Sequence, residues 1–487
     1  MTQGTGSAKP STLRITPLSS FNPTHHPSDP SRHAQDSVPP RPPRQDSIQP
    51  HLDCTLYPRP QHNISRRSVS SSALKVLYRL REEGYQSYLV GGCVRDLLLG
   101  REPKDFDVVT NAHPEELRDI FRNCRLVGRR FRLAHVHFGE EVIEVATFRR
   151  MQPPDDSDDR VVENGRIIRD NAYGSIEEDA FRRDFTVNAL YYNIADFSVV
   201  DYVGGMEDHK AGILRLIGQP EERYHEDPVR MLRAIRFAVK LGFTIPPDCA
   251  DPIPRLAHLL KDISSHRLYE EVLKLFLSGY AVQTFEQMRH YRLFGVLFPQ
   301  TEACLNTEEQ GFPLTFLARA LENTDLRIRE DKTAAPYFLF AALLWEPVRI
   351  RARAAMLTGR EESMAYQEAA SDVIDRQVRR LAIPRGVVLQ ARDVWLLQPR
   401  FERLVGSKPF RLIGHPRFRA AYDFLQLRAE TGDAEPELAA WWQRFVQVDD
   451  AERKTMTRGT GTGTGKKSKN RKRRNKSRAA KNAATVS

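Results

Sequence analysis

The spacing of apolar and polar positions changes twice along the 487 residues, and each change marks a boundary. The first 60 residues have no helical or strand period. They hold 12 of the 31 prolines, mixed with Ser, Thr, His and Gln, and such a segment cannot bury enough apolar surface to fold. Order is expected to begin near Ser68–Ser72, where serines can cap a helix carrying Leu74, Leu77 and Leu80, ended by Gly84. A mixed pattern follows. Tyr88–Val90 reads as a strand running into Gly91-Gly92, Val94–Leu99 as a helix, and Asp105–Thr110 as a strand. Pro114 opens a helix to about Asn123, Leu133–Phe138 and Val142–Thr147 read as paired strands, and 152–170 as an acidic, exposed loop. After about Met206 a helical period dominates to about Val448, and a Gly-Thr linker (Gly459–Gly465) leads into a basic arm. The expected class is α+β, with these parts: a Pro/Ser-rich disordered extension (1–66), a small mixed-sheet head (67–205), a helical neck (206–280), an elongated all-α body (281–452) and a disordered basic tail (453–487).

Composition narrows the class. The chain is 40% hydrophobic and 28% charged, ordinary for a soluble multidomain protein. The longest apolar run, Tyr337–Trp345, is about half of the roughly 20 residues a spanning helix needs, so no membrane span is expected. No secretion signal is evident. Five cysteines with no close pair argue against disulfides or a thiolate zinc site and suit the cytoplasm. The net charge of +11 sits at one end: from Arg453 onward there are 13 Lys/Arg and no acid, which leaves 61 basic against 63 acidic residues before it. Lys466, Lys467, Arg471, Lys472, Arg473 and Arg474 form the centre of that arm, and a flexible run of like charge suits a polyanion such as RNA. His135 and His137 alternate on a strand with no third ligand in view, so a structural role is expected over zinc. Trp345, Trp395, Trp441 and Trp442 sit in apolar surroundings that point to packing rather than to base stacking.

The chemistry concentrates in GGCVRDLLLGREPKDFDVVT, Gly91 to Thr110. A strand ending in two glycines before a helix lets backbone N–H groups approach a phosphate. Asp105 and Asp107 flank Phe106, and alternate strand residues share a face, so the two carboxylates point together while Phe106 points into the core. Two hard oxygen ligands beside a phosphate cradle are what Mg²⁺-assisted phosphoryl or nucleotidyl transfer needs. A third carboxylate has two candidates. Glu144 lies in an otherwise apolar strand, and Asp184 lies in Arg182-Arg183-Asp184-Phe185-Thr186-Val187-Asn188.

These stretches, with RRDFTVNAL (Arg182–Leu190) and EDPVRMLRAIRFA (Glu226–Ala238), occur in the order seen in the class II branch of the DNA-polymerase-beta-like nucleotidyltransferases. The resemblance implies a Mg²⁺-dependent enzyme that transfers AMP from ATP to RNA 3′ ends without a template and releases pyrophosphate. It implies catalytic Asp105, Asp107 and Asp184, metal ligation by Asp105 and Asp107, and nucleotide binding by Gly91, Gly92, Arg95, Arg182, Arg183 and Asn188; Glu144 is added as a metal ligand on its place in the strand. Glu226, Asp227 and Arg230 resemble the motif that reads the incoming base; their spacing of three or four predicts one shared helix face. The branch holds poly(A) polymerases and tRNA CCA-adding enzymes. The segment Leu126–Val136, with Arg129, Arg130 and Arg132, resembles the polymerase side, and a general RNA-binding arm agrees with it. The expected partners are 3′ ends of mRNA and other transcripts, with the RNA-decay machinery beyond them.

Overall fold

The computed structural model describes residues 54–128, 132–150, 160–163, 166–170, 172–307 and 314–458. The head is built on an eight-stranded mixed sheet. In chain order its strands are β1 (Thr55–Tyr57), β2 (Ser87–Val90), β3 (Asp107–Thr110), β4 (Cys124–Val127), β5 (Leu133–Phe138), β6 (Glu141–Thr147), β9 (Leu190–Asn193) and β10 (Val199–Asp201). A separate two-stranded ribbon, β7 (Arg160–Glu163) and β8 (Arg166–Asp170), falls where the sequence reads as an irregular loop. The sheet order is β1-β10-β9-β2-β3-β6-β5-β4, antiparallel except for the parallel pair β3–β6. That parallel pair needs a crossover, which α3 (Pro114–Ile120) and the β4–β5 hairpin supply.

One sheet face carries Leu89, Val108, Val136 and Val145. It packs on the apolar stripe of α1 (Ser71–Glu82), Ala73, Val76, Leu77 and Leu80, together with Val94 and Leu97 of α2 (Gly92–Leu98). The Ser70 side chain caps α1 by accepting from the Ala73 N–H at 3.0 Å. The opposite face, with Val90, Val109 and Tyr191, packs on Ile176 and Ala180 of α4 (Ile176–Arg182).

Order begins earlier than the expected residue 67, because β1 pairs with β10 through Thr55↔Asp201 and extends the sheet by an edge strand. Three residues without an alternating pattern are too short to be read as a strand. The neck holds α5 (Gly205–Ala211), α6 (Pro220–Glu226) and α7 (Val229–Leu241). The expected border between neck and body at 280/281 does not divide the core: one cluster runs from Phe185 through Leu232, Leu275, Phe285 and Trp345 to Phe424. A second core (Leu397, Phe401, Leu412, Phe418, Leu425, Trp442, Phe445) forms the distal end. Trp345, Trp395 and Trp442 are fully buried and their indole N–H groups donate to Asp433, the Ala341 carbonyl and the Phe401 carbonyl. No helix among the described residues is long and apolar enough to cross a membrane.

Candidate active site

The chain leaves β2 at Val90 and bends on Gly91, whose φ of 76° and ψ of −133° suit glycine alone. A Cβ there would sit 3.6 Å from Arg183 Nη1 and 4.0 Å from Asp107 Oδ2. Bare backbone therefore lies between a guanidinium and a carboxylate. The seven-residue α2 that follows adds little dipole of its own.

Cross-strand register places the acids. Val90 pairs with Asp107 and with Tyr191, Asp107 pairs with Glu144, and Glu144 pairs with His135. Directly paired residues share a face, so Asp107, Glu144 and His135 all project on the α4 side. Phe106 is buried in the opposite core, and Asp105 lies near enough for its charge to act on the Asp107 carboxyl. The strand itself starts at Asp107, not at Asp105; Asp105 sits exposed on the approach to it. His135 Nε2 lies 3.5 Å from Glu144 Oε1, a carboxylate partner that emerges only once β5 and β6 are in register.

Burial pushes the Asp107 carboxyl up to about 6, and the like charges of Glu144 and then Asp105 add to that while Arg183 opposes it. Excess negative charge on hard oxygens fits Mg²⁺, which takes one or two carboxylates and completes its shell from substrate phosphates and water. Among the described residues no group of three or more His, Cys, Asp or Glu converges to hold an ion by itself. Asp105, Asp107 and Glu144 therefore do not form a closed cage among the described residues.

Arg183 is held by Asp179 (Nη2–Oδ2 2.9 Å) and donates from Nε to the Tyr191 hydroxyl at 3.1 Å. Burial alone would weaken its proton affinity, but Asp179 and Tyr191 raise it. Arg95 behaves otherwise. It is 2% exposed and turned inward, donating to Asp96 (2.8 and 2.7 Å) and to Asn188 Oδ1 (2.6 Å). Asn188 Nδ2 in turn donates to Asp184 Oδ1 at 3.3 Å, and Arg233 Nη2 meets Asp184 Oδ2 at 2.5 Å. Burial alone would raise the Asp184 carboxyl, yet Arg233, Asn188 and the Phe185 N–H bring it below the ordinary carboxylate value. Asp96–Arg95–Asn188–Asp184–Arg233 is a continuous strut from head to neck. Arg95 and Asn188, expected at the nucleotide, are here engaged with each other and with Asp96 and Asp184, as a buried guanidinium must be paired. Asp184 is likewise committed, and it is Glu144 that stands beside Asp107.

Glu226, Asp227 and Arg230 do not share one helix, as their spacing predicts. Glu226 ends α6, Asp227 is extended, and α7 starts after Pro228 because proline cannot continue the α6 ladder. They still converge: Glu226 Oε2 accepts from Arg230 Nη1 at 2.7 Å and from Arg223 Nη1 at 2.5 Å, and Asp227 Oδ2 accepts from Arg267 Nη2 at 2.6 Å.

Sequence reading missed Arg223, Arg233, Arg236, Arg267, Asp179 and Tyr191. One signal was present: Arg230, Arg233 and Arg236 recur every three residues in a helix whose other positions are mostly apolar, which makes one basic stripe. The stripe is crowded. Burial lowers the proton affinity of Arg236, with Arg233 adding to it, and burial lowers that of Arg223, with Arg230 adding to it. Crowded, desolvated cations beside a carboxylate pair suit a polyphosphate. Arg182 lies at the end of α4. Arg129, Arg130, Phe131 and the basic-arm residues Lys466, Lys467, Arg471, Lys472, Arg473 and Arg474 lie outside the described residues.

Residues 87–215 match the family described as "Poly A polymerase head domain", 242–305 "Probable RNA and SrmB- binding site of polymerase A", and 358–478 "Polymerase A arginine-rich C-terminus". Among curated relatives, Poly(A) polymerase I of Salmonella typhi is 52% identical over 84% of this chain and 88% of its own length. Poly(A) polymerase I of Haemophilus influenzae is 46% identical over 81% and 89%. The CCA-adding enzyme of Bacillus subtilis is 36% identical over 50% and 60%. Among solved structures, the Bacillus stearothermophilus CCA-adding enzyme in complex with CTP covers 76% of this chain and 80% of its own at 27% identity and a TM-score of 0.50.

Proposed function

The chain belongs to the bacterial poly(A) polymerase family, a polynucleotide adenylyltransferase family, and from that premise we propose how its own residues share the work. ATP lies with its phosphates over the Gly91–Gly92 bend and the arginines of the neck, and its α-phosphorus faces Asp105 and Asp107. The RNA 3′-hydroxyl oxygen attacks that phosphorus, the α–β bridging bond breaks, and pyrophosphate leaves. Asp105 and Asp107, with Glu144 beside them, would hold Mg²⁺. When bound, Mg²⁺ lowers the pKa of the hydroxyl and neutralises charge building on the leaving phosphate. Asp105 is exposed where Asp107 is not, so it is open to carry the hydroxyl proton to solvent. Arg183, fixed by Asp179 and Tyr191 against the bend, stabilises charge on the phosphates without having to reorganise. Glu226, clamped between Arg223 and Arg230, presents a fixed acid–guanidinium edge to the base.

The observation that carries the chemistry is the shared face of Asp107 and Glu144 at the Gly91 bend. Polyadenylation over CCA addition rests on reach, because the poly(A) polymerases match across head, neck and body while the CCA-adding relative matches about half of the chain. We place the enzyme in the cytoplasm, acting on 3′ ends of mRNA and other transcripts that pass to the RNA-decay machinery. The test is incubation with Mg²⁺, a short unstructured RNA and each nucleotide separately. A long ladder with ATP alone is expected. Addition of only three residues to a tRNA lacking CCA, from CTP and ATP, would sink the reading.

A further inference from the structure

In the body, the helix Glu362–Arg380, the helix Arg385–Leu397 and the short helix Lys408–Ile413 enclose a cleft of about 350 Å³. Four cations line it, Arg400, Arg403, Lys408 and Arg411, with His415, and no carboxylate does. Among the described residues none of the four forms an ion pair; the sole side-chain hydrogen bond of the set runs from Arg411 Nη2 to Ser407 Oγ at 2.9 Å. Several other arginines of the body are matched to acids: Arg349 to Glu346, Arg351 and Arg376 to Asp372, Arg419 to Asp423. Arg403 is in electrostatic reach of Glu362 without forming an ion pair with it. Glu361, Glu362 and Glu402 lie near Arg403 and offset part of its charge, but the charged groups of the concave lining itself are all cations, and such a lining focuses its field on a polyanion.

The cleft is also rigidly placed. The helix Glu362–Arg380 has Tyr366 in the cleft wall, and its far end is fastened to the neck: Arg380 donates to the carbonyls of Val296 and Leu260 at 2.9 and 2.7 Å, and Ala382 N–H to that of Ser265 at 3.1 Å. Ser265 starts the helix bearing Arg267, the partner of Asp227. Fourteen residues of α-helix separate Tyr366 from Arg380, about 21 Å at 1.5 Å per residue. That helix connects the cleft wall to the segment that carries Arg267.

We propose that this cleft binds backbone phosphates of the single-stranded RNA upstream of the 3′ end being extended. This rests on the polyadenylation reading, which supplies an RNA chain that must leave the head. The experiment uses the full-length protein with Arg403→Ala/Lys408→Ala/Arg411→Ala, and separately Lys408→Glu, each checked for an unchanged melting temperature. All three side chains are exposed, so folding should survive. With a primer of about 20 nucleotides, the KM for RNA should rise about tenfold or more in the triple variant, whereas a primer of about 4 nucleotides, the short end of single-strand site sizes, should change less than twofold. In direct RNA binding without Mg²⁺ or ATP, the slope of log K on log salt should shrink by about 2, at about 0.7 for each single-strand phosphate the variant leaves unneutralised. An unchanged long-primer KM and salt slope in folded variants would overturn the proposal, as would an equal loss on short and long primers. So would labelled polyglutamate binding through these residues as tightly as RNA. If the unaltered enzyme failed to make poly(A), RNA binding and its salt slope would still judge the cleft, so the two readings fail separately.

Discussion

Asp107 is held in an environment that disfavours its charge, and the stability of the protein should record it. Its folded pKa of about 6 lies above the ordinary 3.8 of an aspartate, so the folded state binds the extra proton between those values. The penalty is absent below about pH 4, grows as pH rises, and is complete above about pH 6. A difference of about two pH units corresponds to about 3 kcal/mol at roughly 1.36 per unit. Partial exposure reduces this to about 1–2 kcal/mol. Asp107→Asn should therefore stabilise the metal-free protein by about that amount at pH 7.5 and by nothing at pH 3.5, while RNA extension falls roughly 10²–10⁴-fold. Urea unfolding in EDTA at the two pH values checks the first statement, and a primer assay the second. The third acid is separable in the same way. Glu144 has a half-exposed side chain, so Glu144→Gln should leave the melting temperature within about 1 °C and raise the Mg²⁺ concentration needed for half-maximal rate. Asp184→Ala leaves Arg233, about a third exposed, and Asn188 without their carboxylate and should cost about 1.5–3 kcal/mol, read by unfolding, before any effect on chemistry is considered. The glycine bend and the strand position of Asp107 were legible in the sequence because glycine geometry and strand patterning are local rules, whereas Asp105 precedes the strand and alternation does not place it. The partners of Arg95 and Asp184 were not, since Asn188 and Arg233 lie 93 and 49 positions away from them.

Elements placed by period were easier to read than elements placed by pairing. The helices α1 and α7 carry apolar stripes that need no context, and their limits follow from Ser70 and Gly242. The edge strand β1 and the β4, β9 and β10 strands have three or four residues each, below what alternation can resolve. The Glu226–Arg230 junction shows the converse error: a helical spacing was present, but Pro228 interrupts it and tertiary packing restores the convergence. The join of head and neck depends on close backbone approach. A Cβ on Gly205, at the start of α5, would collide with the Thr186 carbonyl oxygen and fall 2.9 Å from its carbon. Neither is a flexible side-chain end, so α5 would have to move off the Thr186–Asn188 turn that bears Asn188. Gly205→Ala should lower stability by about 2–4 kcal/mol and reduce extension by loosening the Arg95–Asn188–Asp184 strut. Gly139→Ala, at φ 63° but in open space, should cost only about 1 kcal/mol. Melting curves of the two variants side by side test the difference.

Across the whole molecule, charge and core follow different partitions. The core joins neck and body from Phe185 to Phe424, a continuity hidden from composition because most helices in that range are amphipathic alike, the nearly all-apolar helix Pro336–Leu343 apart. The charge partition was plain from the sequence: residues before Arg453 nearly balance, and the 13 cations from it onward stand without an acid. An arm of this kind acts on any RNA by releasing counterions, and its contribution must fade with salt. The body cleft acts through the same force but from a fixed position, so the two differ in what they require of the primer. Deleting Lys466–Lys481 removes ten cations. If about six or more of them meet phosphates, the log–log slope should shrink by about 4 or more, so the deletion should cost about 10²-fold more affinity at 50 mM salt than at 200 mM. Because a run of like charge attracts any polyanion whatever its sequence, the loss should appear on short and long primers alike, while kcat at saturating RNA stays within about twofold. Titrating RNA KM against salt for the deletion and for the full chain decides this, and an unchanged slope would remove the arm from RNA binding altogether.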